Sequence, residues 1–321
     1  MLPRSGPVGH LLGHPVAAGK GRRTHWLTFL GIAFAWSWSC WHLASVVKPQ
    51  SALASGVLSA LGSFGPGAAA VVVIGWTGGR PGLRGWLGRC LQWRIGVCPF
   101  AWAFFLPLTV LAPAALVHAA MGGGPGPLPV VGDLPHLQHV AMALANLVLI
   151  MLLGGPLGEE FGWRGWAWPT LRHQCGWRLS SLVLGGVWGL WHLPLFFIEG
   201  SLQSRLPVLP FLASTIALSV VFGWLSERSE GSVLPALTLH TAVNWWAWVV
   251  PGLLVDGNQR QLALALVMLA LLAAGLLTWP ALPPGRSLKR NVRDGQAAAA
   301  DRTAPGSPQR PLSQPDPGSP R

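Results

Sequence analysis

No tyrosine occurs in the chain, and only ten of its 321 residues are acidic. Charged residues of both signs make up 10% of the sequence, where a soluble globular chain carries about 25%. That scarcity excludes an ordinary water-solvated surface. Cysteine is also sparse. Cys40, Cys90, Cys98 and Cys175 show no paired spacing of the kind that builds a metal site, so they read as buried or inert thiols. The net charge of +12 comes with no compact basic domain. Its basic residues are scattered through short loops and both termini, which excludes nucleic acid as a partner.

What remains is apolar. Hydrophobic residues account for 51% of the chain, and the mean hydropathy is +0.46. Tryptophan (19) outnumbers phenylalanine (11), which suits a membrane–water interface because the indole is apolar with one polar N–H. The expected fold class is all-α: a polytopic membrane helix bundle of about eight transmembrane helices lying in the lipid bilayer. The spans are placed at 25–47, 55–76, 98–120, 138–157, 180–198, 207–225, 233–250 and 262–280. A flexible arm precedes them at 1–24, and a Pro-, Ala-, Gly- and Ser-rich tail without periodicity follows at 281–321. The first apolar run is about 22 residues long, where a signal-peptide core has about 7–15, so it reads as an uncleaved helix.

Charge fixes the expected orientation. Of the 22 Lys and Arg residues, Lys48, Arg205 and Arg260 fall in the loops on one side, and the other 19 fall on the opposite side with both termini. The positive-inside rule then puts both termini in the cytoplasm of a multi-pass plasma-membrane protein.

Ionisable groups inside the spans are few. Glu159 and Glu160, in Gly155-Pro-Leu-Gly-Glu-Glu-Phe-Gly-Trp-Arg-Gly-Trp166, are the only two acidic residues that fall in or against a span. Carboxylates at that depth are expensive and usually functional. They are placed at the cytoplasmic end of the fourth span. Glu160 and Arg164 share a face on a continuing helix and can pair. Adjacent carboxylates point about 100° apart on a helix, so one can face the bundle interior while Arg164 holds the other. A plain ion-pair cap at the membrane interface is the alternative.

His192 falls in the fifth span; taken alone it reads as a core histidine bonded to a backbone carbonyl. His240 and Asn244 share one face of the seventh span, with His240 about 10 Å in from the cytoplasmic loop. Buried polar groups need partners, so the three helices should bring these groups to one hydrated cavity. Carboxylate, imidazole and amide supply a base for water, a second proton carrier and donors for an oxyanion. Glu159, His192 and His240 could equally hold a divalent metal such as zinc. His25, His42 and His118 lie near span ends and need no role.

In sequence order, Glu159-Glu160-x-x-x-Arg164, Trp188-x-x-x-His192 and His240-x-x-x-Asn244 resemble the motifs of the CPBP family. These are the CAAX proteases and bacteriocin-processing or immunity (Abi) proteins related to the type II CAAX prenyl endopeptidase. Flanking residues agree, with Arg164-Gly165 after the pair and Gly231-Ser-Val-Leu-Pro235 leading into His240. The resemblance covers residues 55–250. The second motif often opens with Phe, so Trp188 is read as an aromatic swap.

The resemblance implies an intramembrane endopeptidase domain over 25–280, with its motif core at 138–250, acting on a membrane-associated protein or peptide near the cytoplasmic face. It implies Glu159 as the base that activates water with His192, His240 and Asn244 as oxyanion stabilisers or metal ligands, and Glu160 with Arg164 as an orienting pair. The family has been described both as metalloproteases and as glutamate proteases. The His-Glu-x-x-His pattern of zinc proteases is absent here, which leans toward water activation without metal. A non-catalytic immunity or binding protein with the same fold is the alternative. A proton-coupled transporter using Glu159 is a third reading, but such transporters show internal repeats and none is visible.

Overall fold

The computed structural model describes residues 20–123, 136–250 and 259–280. The arm before Lys20, the glycine- and proline-rich loop from 124 with Asp133, and the 281–321 tail lie outside the described residues. Among the described residues there is no strand. The helices are α1 (Lys20–Val47), α2 (Ala52–Ser63), α3 (Gly65–Cys90), α4 (Cys98–Phe105), α5 (Leu108–Ala120) and α6 (His136–Leu153), followed by α7 (Pro156–Gly162), α8 (Trp168–Trp191), α9 (Val208–Ser226), α10 (Leu234–Val249) and α11 (Gln259–Thr278). The chain is an all-α membrane bundle.

Each of the eight expected apolar segments is helical, but they are not eight equal spans. Among the described residues, five helical runs are long and apolar enough to cross a membrane. A sixth is reached if α2 and α3, bent by 46° at Phe64, count together. The expected fourth and seventh spans correspond to α6 and α10, of 18 and 16 residues. At 1.5 Å per residue α10 is about 24 Å long, short of the roughly 30 Å hydrocarbon core. Pro251 helps to explain this limit, because the residue before a proline leaves the helical region; Val250 is extended (φ −71°, ψ 121°).

The segment after α6 departs most from expectation. Glu159 and Glu160 do not sit at the end of the fourth span. α6 stops at Leu153, Gly155 takes φ 110°, and a new helix begins at Pro156. A side chain at Gly155 would be strained at that φ, and its Cβ would lie 2.5 Å from Glu159 Oε1. Residues 164–178, between the expected fourth and fifth spans, are helical. A loosened π turn at Trp163–Ala167 links α7 to α8, and α8 is bent at Gly176.

Small residues set the helix spacing, as the Phe64-Gly65-Pro66-Gly67 stretch suggests. α3 packs on α7 where Gly158 and Gly162 meet that stretch. A Cβ on Gly158 would come 2.7 Å from Phe64 Cα, and one on Gly162 would overlap the Pro66 carbonyl. α8 meets α9 in the same way, since a Cβ on Gly185 would lie 2.6 Å from Ile216 Cα. Lipid tails are as apolar as leucine, so such close approach is what holds membrane helices together.

The tryptophans are divided between surface and core. Trp36, Trp76, Trp93 and Trp102 are exposed as expected of interface residues, but Trp41, Trp86, Trp163, Trp168, Trp177, Trp188, Trp191 and Trp224 are buried. The bundle interior uses the indole as bulk, and in several cases as a hydrogen-bond donor.

Candidate active site

Four elements build the polar centre: α7 with its π turn, the end of α8, α9 and α10. α7 carries the carboxylates. Its glycine face is taken up by α3, which leaves Glu159 and Glu160 to point elsewhere. Glu159 is 4% exposed and Glu160 fully buried.

Glu160 is held from two sides. Arg164, one turn on, donates from Nη1 to Glu160 Oε1 at 3.0 Å. From α10, His240 Nδ1 shares a hydrogen bond with the same oxygen at 2.8 Å. The Arg164 guanidinium lies between two aromatic faces, 3.9 Å from the Phe222 ring centre on α9 and 4.8 Å from that of Trp188. Aromatic faces attract a desolvated cation, so the pair is caged as well as bonded. Phe222 gave no signal in the sequence, because one Phe in an apolar helix resembles any other.

Glu159 is held differently. Its Oε2 accepts from the indole Nε1 of Trp188 at 2.7 Å. Its Oε1 lies against Gly155, where the missing side chain leaves room. Trp188 was read as an aromatic swap, yet phenylalanine has no donor to offer. The visible signal was the Trp itself, since a buried indole N–H requires an acceptor.

His192 lies within the helical run that ends at Phe197, as expected, but at the point where α8 stops. Proline at 194 cannot continue the helical hydrogen-bond ladder, and the backbone tightens to a 3-10 turn at Leu193–Phe197. The backbone N–H of His192 goes to Gly189, which frees the Trp188 carbonyl. The His192 imidazole takes that carbonyl, donating from Nδ1 at 2.9 Å. Helix ends leave such carbonyls without partners, and a histidine side chain can satisfy one. With Nδ1 committed as donor, Nε2 is the lone-pair nitrogen of the neutral ring. Trp188 thus joins the two residues, binding Glu159 with its side chain and His192 with its backbone.

α10 is fixed at both ends. Ser232, just before it, donates to the Gln92 carbonyl at 2.6 Å, and Trp245 and Trp246 donate to the carbonyls of Ala143 and Phe104. His240 is buried, and its ring meets Trp188 edge-on at 5.4 Å. Asn244, one turn on, is half-buried; among the described residues none hydrogen-bonds to its side chain.

The metal set of Glu159, His192 and His240 does not form a ligand cluster. Among the described residues, no group of three His, Cys, Asp or Glu side chains is placed to hold an ion. Each histidine spends Nδ1 on an internal partner and keeps Nε2 for other work.

An apolar cavity of about 300 Å³ adjoins this centre. Phe211, Leu239 and Val243 line it, with Leu106, Val110 and Leu266 farther out. Phe211 also packs edge-on against His192 at 5.2 Å. Phe211 is thus shared between the cavity wall and the His192 ring.

Residues 141–246 match the family described as type II CAAX prenyl endopeptidase Rce1-like. A CAAX prenyl protease 2 of Methanococcus maripaludis is 30% identical over 103 residues. That alignment takes in 30% of this chain and 38% of the relative, so the chain spans well under half the length of the curated relative it matches. The matched segment contains all seven motif residues.

Proposed function

We propose, for a chain whose residues 141–246 belong to the Rce1-like family of CPBP membrane proteases, that it is an intramembrane endopeptidase. It hydrolyses a peptide bond in a membrane-associated protein or peptide. The observation that carries this reading is the Glu159–Trp188–His192 arrangement. There a buried carboxylate and an imidazole with a free Nε2 are fixed through one residue, inside a bundle with little other charge. The side carrying 19 of the 22 basic residues supports a site near the cytoplasmic face.

In the proposed reaction Glu159 takes a proton from water as the oxygen attacks the scissile carbonyl, and the Nε2 of His192 orients that water. The carbonyl becomes a tetrahedral oxyanion, which His240 and Asn244 stabilise from α10. Collapse breaks the C–N bond. The proton held by Glu159 passes to the leaving amine, giving a carboxylic acid and an amine, and the acid then gives its proton to the amine. Glu160, bound by Arg164, holds His240 in register through Nδ1. A general base of this kind contributes about 10²–10⁴-fold to rate. The apolar cavity beside His192 suits a substrate with an apolar group near the cleaved bond.

The test is cleavage of a panel of membrane-tethered peptides by the detergent-purified protein, with Glu159→Ala and His192→Ala run beside the parent. Glu159→Ala should lose activity by at least about 100-fold. Equal cleavage by all three proteins would remove the hydrolase reading.

A further inference from the structure

The geometry points to Trp188 as a positioning residue that sets the Glu159 carboxylate through its indole N–H, a role phenylalanine at this position could not fill. The inference rests on the proposed task of Glu159. Trp188 touches most of the site at once. Nε1 donates to Glu159 Oε2 at 2.7 Å, and the backbone carbonyl accepts from His192 Nδ1 at 2.9 Å. One face of the ring lies under the Arg164 guanidinium, and its edge contacts include His240.

These contacts have different chemical requirements. The carbonyl is supplied by any residue, and the Arg164 and His240 contacts by any aromatic ring. Only the bond to Glu159 needs an N–H. Glu159 sits next to Gly155, which offers no side chain to brace it, so among the described residues the indole is what fixes the carboxylate's rotation. A carboxylate free to turn would spend less time with its basic oxygen directed at the water. The expected signature is therefore slower turnover with unchanged substrate binding.

Trp188→Phe removes the N–H and keeps the ring. Its kcat and KM are measured with the acyl-tethered fluorogenic peptide that the parent cleaves fastest, alongside Glu159→Ala. Melting temperatures of both single variants and of the double variant are measured in the same detergent. A hydrogen bond to a charged acceptor lost in this way should lower kcat about 10- to 100-fold, with KM within about two-fold. The melting shifts of Trp188→Phe and Glu159→Ala should be non-additive, as for a contacting pair.

Parent-like kcat in Trp188→Phe, with Glu159→Ala inactive, would overturn the positioning role and leave the hydrolase reading intact. A loss that follows only the folded fraction would also overturn it, reducing Trp188 to packing. A parent that cleaves no peptide in the panel would remove the hydrolase reading and this role with it. Additive melting shifts would show that the Trp188–Glu159 contact is not formed.

Discussion

Glu160→Gln tests the architecture of the site without requiring any activity. Glu160 is fully buried and accepts from Arg164 at 3.0 Å and from His240 at 2.8 Å. Glutamine keeps the volume and removes the charge. The Arg164 side chain is 1% exposed, so its cation would lose its partner without gaining water. Breaking a buried pair from one side costs about 3–5 kcal/mol. The aromatic faces of Trp188 and Phe222 return part of that, about 2 kcal/mol for a desolvated cation, but they are present in the parent as well and do not cancel the loss. At about 2–4 °C per kcal/mol for a domain of this size, the melting temperature should fall by roughly 6–20 °C.

Glu160→Gln combined with Arg164→Met removes the stranded cation. It should recover a large part of the loss, because replacing both members of a buried pair is often close to neutral. The assay is thermal denaturation in detergent followed with a thiol-reactive dye, for which fully buried Cys90 is a convenient reporter. A Glu160→Gln protein that melts with the parent would refute the reasoning. So would a double variant whose shift is the sum of the two singles, since a contacting pair must couple.

Further outcomes follow from the same geometry. Gly162→Ala should lower the melting temperature by an amount equivalent to about 1–3 kcal/mol, the usual range for overpacking, because its methyl would overlap the Pro66 backbone. Gly186→Ala on α8, where a Cβ would meet nothing within 4 Å, should be neutral or stabilising and serves as the control. Asn244→Ala should reduce kcat by about 10²–10³-fold if its amide stabilises the oxyanion, with little change in melting temperature because the residue is only half-buried. Peptide cleavage should survive prolonged treatment with a strong chelator, since among the described residues no group of three His, Cys, Asp or Glu side chains is placed to hold an ion; loss of activity restored by zinc alone would reinstate the metal set.

Much of the fold was legible from composition and order. A chain with 10% charged residues must bury apolar helices in lipid, and all eight apolar segments are helical. The three motifs named the family by resemblance, and the pairing of Glu160 with Arg164 followed from their one-turn spacing on a helix. Periodicity could not show that α6 breaks before the carboxylates, since that break depends on Gly155 at φ 110° and a proline starting the next helix. Nor could it place His192, whose contact with the Trp188 carbonyl arises only because the helix ends there.

By itself, the sequence determined the solvent of this protein, its helical class and the identity of its polar groups. Those follow from transfer free energies and local backbone preferences, which each residue carries with it. Only the tertiary structure decided which group holds which. Glu159 faces Trp188 and Glu160 faces His240 because the glycines of α7 lock against α3 and turn the opposite face of that short helix toward α8 and α10. Contacts between residues 29 and 80 positions apart in the chain are set by how closely helices approach, and no local pattern records that distance.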